Sequence, residues 1–229
     1  MSTAPVDRRR ARHEASVDEV VAVALTVMAE SSAAGLTLGE VARRMGVKPP
    51  SLYVYFPSKA ALCDEVFARG WRAAAAALDP LDEMLTGRPE PRAFLVDAAT
   101  AFVDWAVDHP AYAQLMFWRP VPAWSPSPAA YAPAQALLAR TTAMLRTLRS
   151  QGVLRRGADL EEATDVWTVL VAGLVSQQLA NEPGVAAADG RFTRLVTPLV
   201  TGFLAAYGPA GQTSRTPAPT DRPRTRRTL

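Results

Sequence analysis

Thirteen residues, VKPPSLYVYFPSK at positions 47–59, concentrate side chains able to read a polar, ordered partner. Lys48 supplies a cation, Ser51, Tyr53 and Tyr55 supply hydroxyl donors, and Val54 with Pro49 and Pro50 supplies apolar surface. Phenolic and hydroxyl donors suit phosphate oxygens, while valine and proline suit the methyl group of thymine in a major groove. Covalent chemistry has far less to work with. His13 lies in an arginine-rich end, His109 precedes Pro110, and Cys63 stands alone. These three form no recognisable set of nucleophile, base and metal ligands, so the chain reads as a non-enzyme that calls for no cofactor and no metal. Cys63 is either a small buried hydrophobe or a thiol sensor, and no basic neighbour in the sequence favours the second.

The stretch from Pro50 to Pro57 spans only about two helical turns, short of the ~12 residues an isolated helix needs in water. A scaffold must therefore hold it. The helical step of 100° from Pro50 places Leu52 and Phe56 on one face as anchors, turns Ser51, Val54 and Tyr55 outward and leaves Tyr53 at the flank. Ahead of it, Thr37-Leu-Gly-Glu40 is a capping box that opens a short helix through Val41, Ala42 and Met45, and Gly46 can supply a left-handed stop. Small Ala42 allows close helix approach, and the whole reads as a helix-turn-helix. Ser16-Val-Asp-Glu19 is a second capping box, preceding apolar residues at 17, 20, 21, 24, 27 and 28, with Gly35 placed to end that helix.

Beyond Pro57, Ser58 can cap a longer helix that ends before Pro80, and Pro91 and Pro110 sit well in first turns of further helices. Five prolines between 119 and 133 predict an irregular loop, followed by a helix over about 133–151. Asp159-Leu-Glu-Glu162 caps a helix to about Leu179, and a last one runs from about 190 to Tyr207. No segment alternates as a strand would. The expectation is an all-α fold of roughly nine helices, with residues 16–62 as a helix-turn-helix domain and 63–207 as a second helical domain.

The 229 residues are 49% hydrophobic, yet the longest strongly apolar run, Val169–Val175, is short of a membrane span, and no secretory signal opens the chain. With a single cysteine, a cytoplasmic location is expected. The net charge of +3 is uneven. Arg8, Arg9, Arg10 and Arg12 face only Asp7 and Glu14 in residues 1–15, and five arginines face only Asp221 in residues 208–229, which leaves a slightly acidic body. Basic ends suit a polyanion partner. Residues 1–15 read as a flexible basic arm, either a phosphate or minor-groove contact or a frayed end, and residues 208–229 as a disordered basic tail.

Residues 16 to about 72 resemble the DNA-binding domain of the tetracycline-repressor family of bacterial transcriptional regulators. The run LTLGEVARRMGVKPPSLYVYFPSKAAL carries the likeness, in its Gly-Val turn, Leu-Tyr pair, aromatic-Phe end and Ser-Lys helix opening. The segments DWAVDHPAYAQLMFW and VWTVLVAGLVSQQLAN are similar to a subgroup marked by Trp and His-Gly in its C-terminal domain, although Ala172 stands before Gly173 where that subgroup has His. The resemblance implies that Lys48, Pro49, Ser51, Tyr53, Val54 and Tyr55 face double-stranded DNA, with Thr37 and Lys59 at phosphates. Both of the latter also lie at helix N-termini, where backbone N–H groups favour anions. It implies further a homodimer on an inverted-repeat operator, acting as a ligand-responsive repressor. A different helical protein, binding small molecules or acting through its basic tail, is the alternative.

The second half must then dimerise and sense. The helices around Val166–Val175 and Leu195–Leu204 are apolar nearly all round, so each needs two apolar neighbours, one of them a second subunit. Val169, Gly173, Leu195, Leu199, Gly202 and Phe203 are the expected interface, the glycines permitting close approach. Trp71, Trp105, Tyr112, Met116, Phe117 and Trp167, with Trp118 and Trp124, are either plain core or the wall of a pocket for an apolar or aromatic small-molecule effector. Gln177 and Gln178 are placed either to orient that ligand or to sit at the dimer rim.

Overall fold

The computed structural model describes residues 5–87 and 90–209. Every element among them is helical. The fold begins with α1 (Pro5–Gly35), α2 (Leu38–Met45) and α3 (Pro49–Leu52). Then α4 (Lys59–Ala77) leads to α5 (Asp79–Thr86), α6 (Pro91–Asp108) and α7 (Pro110–Ala113). A π-helical turn, Gln114–Trp118, continues α7. The chain closes with α8 (Pro128–Ser150), α9 (Leu160–Asn181), two short 3-10 turns and α10 (Val196–Tyr207).

Most helix starts follow local chemistry. Thr37 Oγ1 accepts from the Glu40 N–H, Ser58 Oγ from Ala61, and the Asp159 carboxylate from Glu161 and Glu162, so each cap satisfies donors the helix leaves unpaired. Gly46 ends α2 in the left-handed region (φ 69°), and its N–H and that of Val47 bond back to the carbonyls of Arg43 and Ala42.

Three expectations shift. Ser16 is not a helix start: α1 runs on to Pro5, and the Ser16 hydroxyl donates to the Arg12 carbonyl inside it. The basic segment is thus helical from Pro5, and residues 1–4 lie outside the described residues. At the other end of α1 the backbone breaks at Ser32 (φ 63°, ψ 165°). The proline-rich stretch yields to helix earlier than expected. Pro128 sits in the first turn of α8 behind a Ser127 cap, and Pro133 is carried inside the helix, where its missing N–H takes the internal donor from the Ala129 carbonyl. The segment 79–86, to which no element was assigned from the sequence, forms α5 with Pro80 in its first turn. Most of the C-terminal tail, residues 210–229, lies outside the described residues, and so does the expectation of disorder there.

One core runs through the molecule. Val20, Val27, Met28, Leu36, Val41, Leu52, Leu62 and Phe67 bury the first three helices against α4, and the same cluster continues through Leu95, Val103, Leu115, Leu145 and Val175. Ion pairs tie its pieces: Arg69 joins Asp18 of α1 to Glu65 of α4, and Arg44 of α2 joins Glu30 of α1. The expected boundary at 62–63 falls inside α4, a single uninterrupted helix.

Candidate nucleic-acid interface and apolar cavity

The reading segment has the shape its sequence asks for. Lys48 is extended, Pro49 and Pro50 form the first turn of α3, and Leu52 and Phe56 are buried beneath it. Above them Lys48, Pro49 and Ser51 are exposed, Tyr53 is 54% exposed and Val54 is 76% exposed. Tyr55 departs from expectation. The helix ends at Leu52, and the Tyr55 N–H closes a tight turn onto the Leu52 carbonyl at 2.9 Å. The 100° step therefore stops applying. Tyr55 turns to the flank, half-buried, with the His13 ring of α1 at 5.1 Å, and Tyr53 takes the outward position.

Thr37 is exposed beside α3, its oxygen committed to the cap of α2. Lys59 at the start of α4 has a contact that sequence reasoning missed: its Nζ donates to the Ala34 carbonyl at 2.9 Å, at the end of α1. A lysine can satisfy a helix C-terminus in this way, but nothing in the local sequence says which carbonyl lies opposite. Cys63 is fully buried, and burial pushes its thiol up to about 11. It is no candidate nucleophile at neutral pH.

Further along α4 lies an apolar cavity of about 180 Å³. Its wall joins Trp71 and Leu78 of α4, Phe102 of α6, Phe117 of the π-helical turn, Leu137 and Thr141 of α8, and Trp167, Thr168 and Val171 of α9. Of the residues expected around a ligand, Trp71, Phe117 and Trp167 are on this wall. Trp105, Tyr112, Met116 and Gln177 are not. Trp105 stacks on His109 (5.1 Å) and Tyr112 (6.2 Å) on an outer edge, and Met116 packs against Gly70. Gln177 is exposed and takes a hydrogen bond from Asn181. Gln178 is a buried staple, its Oε1 accepting from the Phe192 N–H and its Nε2 donating to Glu182. Trp124 and Trp118 are pins as well: their indole N–H groups donate to Asp64 and to Ser176. Thr141, half-buried, and Thr168, exposed at the rim, were missed because the sequence gives no way to tell a threonine beside a cavity from one elsewhere on a helix surface.

On the outer side of α9 and α10, Val169 is 71% exposed, Leu195 and Leu199 are exposed, and a side chain at Gly173 or Gly202 would meet nothing. Phe203 is different: it is buried, edge-on to Trp167 at 5.4 Å, and belongs to the interior.

Residues 20–66 match the bacterial regulatory proteins of the tetR family, and residues 95–199 match the tetracyclin repressor-like C-terminal domain. The chain belongs to the tetracycline-repressor family. It is thus a DNA-binding transcriptional regulator, with the helix-turn-helix of that family in α2 and α3. Solved structures share the fold over most of their length. A protein of unknown function from Rhodococcus sp. RHA1 aligns with a TM-score of 0.69 at 20% identity, covering 84% of this chain and 95% of its own. The regulator FadR from Bacillus subtilis, in complex with stearoyl-CoA, aligns at 0.65 and 13% identity, covering 82% and 97%. The family regulator PfmR from Thermus thermophilus aligns at 0.64 and 17%, covering 81% and 97%. No curated protein has a significant match to the chain. Among the described residues of this regulator no helix is long and apolar enough to cross a membrane, and no cluster of side chains could hold a metal ion.

Proposed function

We propose that this tetracycline-repressor-family protein acts as a homodimeric, ligand-responsive repressor. The observation that carries the reading is α4, one helix that meets the reading head at Lys59 and forms the cavity wall at Trp71 and Leu78. Twelve residues separate Lys59 from Trp71, a rigid lever of about 18 Å. Displacing Trp71 with a ligand tilts the same helix that carries α3. In a dimer joined through the exposed faces of α9 and α10, that tilt changes the separation of two reading heads, which must meet major grooves about 34 Å apart. Lys48, Pro49, Ser51, Tyr53 and Val54 face the groove with Tyr55 at its edge, and Thr37 and Lys59 contact phosphates. A small apolar effector in the cavity and operator DNA then oppose each other reciprocally.

Selection of bound duplexes from a random pool tests the reading. It should return an inverted repeat with half-sites one helical turn apart, bound by two copies of the chain. On that duplex, Lys59→Ala should weaken all sequences alike and lower the salt slope by about one phosphate contact, while Tyr53→Ala and Tyr55→Ala relax preference at particular base pairs. Recovery of single half-sites bound tightly by a monomer would overturn the dimeric reading.

A further inference from the structure

The chemistry of the cavity wall narrows its occupant, given the sensing role just proposed. We infer that the cavity takes a neutral, compact ring compound carrying a hydroxyl group, such as a substituted phenol, and rejects carboxylates and acyl-CoA. Size is the first constraint. A cavity of about 180 Å³ is only a little larger than the ~150 Å³ engineered cavity that holds benzene. One ring with a short substituent fills it, whereas most of a long acyl chain with a nucleotide head would have to lie outside, past the exposed Tyr131 and Leu138.

Charge is the second. Every described residue on the wall is uncharged. The nearby cation Arg140 is held by Asp79 at 2.8 Å and Asp82 at 3.0 Å, and Arg119 lies outside, over the rings of Tyr131 and Phe67. A carboxylate entering such a site loses its hydration without a compensating charge.

Hydrogen bonding is the third, and it distinguishes a hydroxyl from a plain hydrocarbon. Thr141 on α8 donates its hydroxyl hydrogen to the Leu137 carbonyl (3.0 Å), and Thr168 on α9 donates its own to the Thr164 carbonyl (2.8 Å). What these two threonines offer an occupant is lone pairs alone, which call for an O–H or N–H donor. An ether or ketone has no donor to offer them, and an alkane has neither donor nor acceptor.

Calorimetric titration of the full-length protein with para-propylphenol, its methyl ether para-propylanisole, para-propylbenzoate and stearoyl-CoA tests this. The phenol should bind at least about fivefold tighter than the ether, the margin of one net hydrogen bond, and the benzoate and the CoA ester should not bind. In the Thr141→Val/Thr168→Val variant the phenol should fall to the affinity of the ether, while unchanged ether binding shows that the cavity is intact. Equal affinity of phenol and ether for the unaltered protein, tighter binding of the benzoate or stearoyl-CoA, or no binding of either neutral compound would each overturn the ligand class. The same titrations on a fluorescent duplex recovered by selection separate the two proposals. Release of DNA by stearoyl-CoA alone would keep the sensor and discard this ligand class. Binding of the phenol without any change in DNA affinity would keep the class and discard the sensor.

Discussion

At the scale of single residues, two side chains illustrate how neighbours decide chemistry. Glu40, whose type suits a capping box, instead lies between Arg43 and Arg44, with contacts of 2.7 Å to each. Hydrogen bonds from Arg43 and then Arg44 hold its carboxyl down at about 2. Its folded value lies below its unfolded one, so its stabilising contribution is present above about pH 4.5 and lost as the pH falls from there toward 2. Thermal melts over that window should therefore show a steeper acid loss in the unaltered protein than in Glu40→Gln, which removes the titrating group. Identical slopes would show that the arginines do not hold the carboxylate in solution. Cys63 runs the other way. With its thiol raised to about 11 by burial, native protein at about pH 8 should react with a maleimide far more slowly than denatured protein, and rapid native labelling would contradict the packing around it.

At the scale of elements, the contacts that matter join helices distant in sequence. A Cβ at Gly70 of α4 would sit 2.6 Å from Met116 Sδ and 3.0 Å from the Tyr112 ring, so the glycine is what allows the α7 segment and its π-helical turn to lie against α4. Gly70→Ala should cost about 1–3 kcal/mol, read as a lowered denaturant midpoint at unchanged slope. Combined with Met116→Ala it should cost less than the sum of the two single changes, because the second removes the clash introduced by the first. Gly46 needs its glycine for a different reason. Its Cβ position is open, yet φ of 69° strains any side chain, and Gly46→Ala should lose about 1 kcal/mol together with part of the DNA affinity, since the turn sets the entry of α3.

At the scale of the whole molecule, the proposed dimer would be joined through the outer faces of α9 and α10. Val169 in its exposed position should tolerate arginine in a monomer and disrupt a two-fold contact in which it meets its own copy. Val169→Arg should shift sedimentation from dimer to monomer at micromolar concentration and weaken binding to an inverted repeat, with helix content by circular dichroism unchanged. A dimer that persists with full DNA affinity would place the interface elsewhere.

Local rules, acting between residues a few positions apart, made much of this readable from the sequence. The caps at Thr37, Ser58 and Asp159, the stop at Gly46, the anchors Leu52 and Phe56 and the all-helical class follow from spacing and side-chain type, and the family follows from the run around them. Where α1 begins was not readable, because a good capping sequence at Ser16 is overridden once the preceding turn also becomes helical. The outward turn of Tyr53 in place of Tyr55 depends on α3 stopping at Leu52 and on the His13 ring brought alongside by α1. The division of the aromatic residues depends on tertiary structure alone. Trp71, Phe117 and Trp167 come from three separate segments to one cavity, while Trp105, Trp118 and Trp124 go elsewhere, and a tryptophan has the same local preferences in both roles. Composition supplied the apolar rings; only the packing of α4, α8 and α9 against one another decided which of them enclose empty space.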